Sequence, residues 1–159
     1  MGMCRDEKIR GCVLISACLL GEKCKYNGGD NYSPQIEKIL EDVEVLALCP
    51  EVLGGLPTPR AKSEILDGHV VTEYGDSVDE AFRLGVERAL EAIGNREITC
   101  AILQSRSPSC GVREIYNGSF SGQLIPGRGI FASALAQRGI PLVDAQELIE
   151  GNREGASDE

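Results

Sequence analysis

Short apolar runs alternate along this chain with longer segments whose apolar positions recur at helical spacing. Residues 12–16 (Cys-Val-Leu-Ile-Ser) and 43–48 (Val-Glu-Val-Leu-Ala-Leu) read as buried strands, followed by residues 100–103 and 141–143. Ser33-Pro34 opens a helix, with Ser33 suited to the N-cap, Pro34 to the first turn, and Ile36, Ile39 and Leu40 on one apolar face. The clearest helix covers residues 79–93, where Val78, Ala81, Phe82, Val86, Ala89, Leu90 and Ile93 form one stripe. Ser77 and Glu80 have the spacing of a capping box at its start. Further helices are expected over residues 130–138 and 145–150, and a short accessory strand over 69–72 after the Asp67-Gly68 turn.

Strands alternating with helices, the strands apolar without strict alternation, predict a single-domain α/β fold: a Rossmann-like or flavodoxin-like, mostly parallel sheet with helices on both faces. Residues 1–150 form that domain, and residues 151–159 read as an acidic, solvated, disordered tail without apolar periodicity. Ligands of such sheets bind beyond the carboxyl ends of the strands. Cys18, Cys49 and Cys110 each follow the end of a different predicted strand, so a parallel sheet brings all three to one edge.

Composition narrows the function. The formal net charge is −9, which argues against a stable binder of nucleic-acid backbones. The last sixteen residues carry −5 of it, leaving −4 for the remainder. The apolar runs are too short to cross a bilayer, and residues 1–10 are charged and lack a signal-peptide core, so a cytoplasmic protein is expected.

Seven cysteines in such a chain do not suggest a disulfide framework. No C-x-x-C pair occurs, which disfavours a zinc ribbon, a thioredoxin-type centre and a ferredoxin-type run. Cys12 and Cys100 lie inside predicted strands and read as small buried hydrophobes, and Cys4 as a surface thiol. Pattern alone leaves Cys18, Cys49 and Cys110 evenly divided between metal or cluster binding and ordinary burial.

Five blocks in order carry a resemblance. They are Ser16-Ala-Cys-Leu-Leu-Gly21, Cys24-Lys-Tyr-Asn-Gly-Gly29, Cys49-Pro-Glu-Val-Leu-Gly-Gly-Leu-Pro-Thr-Pro-Arg60, Ser107-Pro-Ser-Cys-Gly111 and Phe120-Ser-Gly-Gln-Leu-Ile-Pro-Gly127. Together they resemble the thiouracil desulfidase family across residues 12–148, without a large insertion. The resemblance implies a 4Fe-4S cluster with one open iron site, held by Cys18, Cys49 and Cys110 and supplied by cluster-assembly proteins; Cys24 is the rival ligand. It implies hydrolytic, non-redox removal of sulfur from 2-thiouracil or a related thiolated base, nucleoside or nucleotide, with release of sulfide.

Glu51 stands two residues after one proposed ligand and Ser107 three before another, so both are expected in catalysis. A carboxylate there can activate water or relay a proton. Ser109 is an alternative to Ser107; a salt bridge to Arg60 and a turn cap before Pro108 are the structural readings of Glu51 and Ser107. Lys23, Lys25, Arg60, Lys62, Arg106, Arg113 and Arg128 fall in loops expected near the same edge. They fit either ordinary solvation or attraction of an anionic cluster or ligand. Gly127-Arg-Gly129 before a helix offers a weak anion-site pattern, and His69 is not expected to act. A non-catalytic iron–sulfur sensor or carrier, and a structural zinc module, are the competing functions.

Overall fold

The computed structural model describes residues 11–157, which leaves Cys4 outside the described residues. Strands β1 (Cys12–Ser16), β2 (Glu44–Leu48), β5 (Ile98–Leu103) and β8 (Leu142–Asp144) form one sheet in the order β2-β1-β5-β8. Every pairing in it is parallel, with Leu14 opposite Leu46 on one side and Ala101 on the other. Chain order thus reverses direction at β1: β2 lies to one side of it and β5 to the other. That reversal opens a crevice at the carboxyl ends of the strands.

Both faces are covered, as the unbroken apolar runs require. Val13, Ile15, Cys100 and Ile102 pack on one face with Ile36 of α1 (Pro34–Ile39) and Leu148 of α5 (Ala145–Ser157). Leu14, Ala101 and Leu103 pack on the other with Ala89 and Ile93 of α3 (Asp79–Ile93) and Phe131 and Leu135 of α4 (Ile130–Gln137). Burying the larger of these side chains (Val, Leu, Ile and Phe), each worth about 1.5–3 kcal/mol, drives the sandwich together. Among the described residues no helix is long and apolar enough to cross a membrane.

Ser33 caps α1 as expected, its Oγ accepting from Ile36 N–H at 3.2 Å. The expected capping box of α3 does not form: Val78 is the N-cap and no side chain caps it. Val78 N–H instead donates to Val70 O at 3.0 Å and Ser77 bridges to Val71, so the strand edge claims the segment that the box would need. Residues 151–157, expected as a tail, continue α5 as helix. Cys100 is disulfide-bonded rather than a free buried thiol; the other described cysteines are free.

Two small hairpins and one short helix crowd the crevice, and of their elements only β4 (His69–Thr72) shows in the periodicity. The expected strand β4 (His69–Thr72) pairs antiparallel with β3 (Ser63–Leu66), and β6 (Glu114–Tyr116) pairs antiparallel with β7 (Leu124–Pro126). The four-residue helix α2 (Pro50–Leu53) follows β2 directly. It lies against α3 backbone to backbone: a Cβ on Gly85 would sit 1.8 Å from Pro50 O, and one on Gly54 2.0 Å from Ala81 O. Only glycine at both positions permits that approach.

Candidate active site

The crevice is a cavity of about 780 Å³, and Cys18, Cys24, Cys49, Cys110, Glu51, Ser107 and Ser109 all line it. Each proposed ligand owes its place to the end of a strand. Cys18 lies in a 3-10 turn, Ala17–Leu20, that follows β1; Asn31 Nδ2 donates to its Sγ at 3.4 Å. Cys49 directly follows β2 and is the N-cap residue of α2. Cys110 closes the loop after β5, and four N–H groups at the start of α4 hold that loop. Gly129 donates to Gly111 O, Ile130 to Pro108 O, and Phe131 and Ala132 to Ser109 O, at 2.9–3.1 Å. Of the glycine pair expected as an anion site, Gly129 N–H thus serves this loop, and Gly127 N–H donates to Arg113 O at 3.1 Å. A Cβ on Gly129 would fall 2.4 Å from Ser109 O, so the contact is as close as a backbone can make it.

Cys24 joins the three, hydrogen-bonded to both Cys18 and Cys49. Its hydrogen bond lowers the Cys49 thiol to about 7, with help from Val52 N–H and Arg60 and against burial. Cys18 is lowered by the same donor, against burial. Cys24 is raised in return, first by Cys18 and then by Cys49. Cys110 is pushed up to about 12 by burial, despite hydrogen bonds to Ser16 and Ser109. Thiolate character is thus concentrated at Cys18 and Cys49.

A second network stands beside the sulfurs. Arg60 donates to Glu51 Oε1 from Nε at 3.1 Å and from Nη2 at 2.8 Å, with both side chains largely buried. Arg60 also donates to the carbonyls of Cys24 and Pro57 and to Thr58 Oγ1, which fixes the guanidinium. Glu51 Oε2 accepts from Ser109 Oγ at 2.8 Å, and Ser109 Oγ is 2.9 Å from Ser107 Oγ. The Ser109 proton goes to the carboxylate at 2.8 Å in preference to Cys110 Sγ at 3.7 Å, so Ser107 donates in the serine–serine contact. Ser107 Oγ in turn accepts the N–H groups of Ser109 and Cys110, both at 3.1 Å. Glu51 therefore makes the Arg60 salt bridge and also heads a hydroxyl chain. Ser107 caps its turn, while Ser109 is the serine in direct contact with Glu51. Ser109 and Arg60 are the functional candidates that pattern reading underweighted; both stood inside blocks already singled out.

Of the basic residues expected at this edge, Lys25, Arg60, Lys62 and Arg106 line the cavity, matched by Glu51, Glu64, Glu73 and Glu150. Arg113 pairs instead with Glu147 on the surface, and neither Lys23 nor Arg128 lines the cavity. His69 is exposed, 3.6 Å from Asp79, and away from the cavity. Sulfur donors suit soft metals and iron–sulfur clusters. Among the described residues no three His, Cys, Asp or Glu side chains are gathered about a single ion. What the structure offers such a group is the set of cysteine sulfurs, Cys18, Cys24, Cys49 and Cys110, on the wall of one cavity.

A solved structure of the [4Fe-4S]-dependent thiouracil desulfidase TudS is similar at 39% identity and TM-score 0.81, covering 89% of this chain and 95% of that one. The uncharacterized protein YbbK of Bacillus subtilis (strain 168) is 37% identical over 146 residues, 86% of this chain and 97% of its own. The family model described as 2-thiouracil desulfurase matches residues 13–147, a span that holds all three strand-end cysteines, Glu51 and both serines, and the chain belongs to that family.

Proposed function

We propose that this chain is a [4Fe-4S]-dependent desulfidase that takes sulfur from 2-thiouracil or a related thiolated pyrimidine by a non-redox hydrolysis. The observation that carries the reading is the shared cavity: three strand-end cysteines and the Glu51–Ser109–Ser107 chain face the same space. Family membership and the likeness to TudS support it.

Cys18, Cys49 and Cys110 would hold the cluster, leaving one iron open, and the bound cluster would supply a thiophilic Lewis acid for the thiocarbonyl sulfur. The chain's own groups do the proton chemistry. Arg60 occupies Glu51 Oε1 and so leaves Oε2 to act. Glu51 accepts a proton from the water that replaces sulfur at the thiocarbonyl carbon, which leaves carbonyl oxygen and hydrogen sulfide as products. Ser109 relays protons to and from Glu51, and Ser107, pinned by two backbone N–H groups, keeps Ser109 in line. Burial of Ser109 and the Arg60–Glu51 pair keeps bulk water from competing for these contacts.

The test begins with iron and acid-labile sulfide in protein purified without oxygen, followed by sulfide release from 2-thiouracil. Glu51→Gln is expected to keep the cluster content of the parent and to lose turnover by a factor of roughly 100 or more. Turnover near the parent's would remove Glu51 from the mechanism. Stoichiometric zinc without labile sulfide would end the desulfidase reading.

A further inference from the structure

We infer that Phe120 is the residue on which the pyrimidine ring stacks, and that the buried carboxylate of Glu64 is the positioning residue that aims it. The inference rests on the desulfidase reading and adds a substrate-binding residue to it.

Of the three phenylalanines, Phe82 and Phe131 are each 1% exposed in the core. Phe120 is partly exposed, belongs to neither apolar cluster, and lines the cavity that holds the cysteines. Its backbone adopts φ 56°, a left-handed conformation that costs a bulky residue of this kind energy and that a turn would normally assign to glycine or asparagine. Such strain persists only where surrounding contacts over-determine it, and functional sites are where it collects.

Those contacts are present. Glu64, on β3, is 8% exposed, and its Oε1 accepts both Gly118 N–H at 3.0 Å and Phe120 N–H at 3.1 Å. Gly118 lies so close to β3 that a Cβ on it would meet Ile65 O at 2.7 Å. Ser119 N–H and Oγ both donate to Asn117 Oδ1, which closes the turn from within. The β6–β7 turn is therefore locked onto β3 from two sides, and the locked turn carries one large ring at the cavity wall. Among the neighbouring aromatics, Tyr26 has Lys62 Nζ over its ring at 5.8 Å, which occupies one face. A planar thiolated pyrimidine offers a π-face that a phenyl ring can cover.

Phe120→Asn keeps a residue that tolerates the left-handed backbone and removes the ring. The Michaelis constant for 2-thiouracil is expected to rise roughly 5- to 150-fold, the range of a lost base–aromatic stack, far more than kcat falls. Phe120→Trp is expected to restore most of the affinity. Glu64→Ala is expected to raise KM in the same direction, and Glu64→Gln, which retains an oxygen for both N–H groups, to recover it. Calorimetric binding of uracil to parent and F120N gives a readout apart from turnover. Equal KM in parent and F120N, or a fall in kcat and Tm with KM unmoved, overturns the stacking role. Should the parent release no sulfide from 2-thiouracil, the desulfidase reading fails and uracil calorimetry alone decides. Binding by the parent that weakens in F120N then supports stacking; equal binding, or none by the parent, overturns it.

Discussion

Gly85→Ala sets two physical effects against each other within one helix. Helix propensity alone favours alanine over glycine in a helix interior by roughly 1 kcal/mol. Packing opposes it: the new Cβ would lie 1.8 Å from Pro50 O and 2.7 Å from Pro50 C, where real Cβ contacts do not fall below 3.0 Å. The two backbones must therefore part by roughly 1.2 Å, and by more to reach ordinary contact. Phe82, Ala89 and Ile93 anchor α3 in the core, so the short α2 is the element that yields. Pro50 stands between Cys49 and Glu51, which makes this displacement a displacement of the site. Overpacking of this kind costs about 1–3 kcal/mol, and a misplacement near 1 Å can cost about 100-fold in rate. The expected result is a Tm lowered by about 2–4 °C for a net loss near 1 kcal/mol, with turnover reduced far more than the folded fraction. Thermal denaturation, iron content and sulfide release on the same preparation measure all three, with exposed Glu87→Ala on the same helix as control. A Tm above the parent's with turnover intact would mean that propensity governs Gly85 and the close approach does not.

The two serines separate by what each loses. Ser109→Ala removes the hydroxyl bonded to Glu51 and is expected to lower turnover about 10- to 100-fold with little change in stability, whereas Ser107→Ala strands the buried N–H groups of Ser109 and Cys110 and is expected to cost about 1–3 kcal/mol as well; steady-state kinetics beside urea denaturation tests the contrast, and identical profiles would refute it. Asp79 supplies a pH test: burial raises its carboxyl, but Arg83's hydrogen bond, Val70 N–H and His69 outweigh it and hold the group below its ordinary value of 3.8. A carboxyl lowered by folding stabilises above its unfolded pKa and loses that contribution as pH falls through the folded one. Asp79→Asn is accordingly expected to lower Tm near neutrality, with the gap to the parent closing as pH drops below 3.8; a gap constant with pH would contradict the assignment.

What the sequence determined by itself is the frame. Four apolar runs of three to six residues became the parallel strands, and the stripe of residues 79–93 became the longest helix. Periodicity is enough for this, because each element must bury a face and the spacing of apolar residues states which one. Placing Cys18, Cys49 and Cys110 after three of those strands was legible for the same reason. The tertiary structure decided what local pattern cannot encode. The turn of helix at Pro50–Leu53 is too short to form alone and exists because Gly54 and Gly85 let it rest on α3. Strands β3, β6 and β7 are three or four residues of mixed polarity, and their pairing depends on partners. The Ser77 box lost to a strand edge. Above all, Glu51 met Ser109 across 58 positions of chain while Ser107 capped the turn, a choice made by the direction of two hydroxyls. Sequence spacing brings side chains to an edge; only the packed backbone sets which oxygen faces which proton.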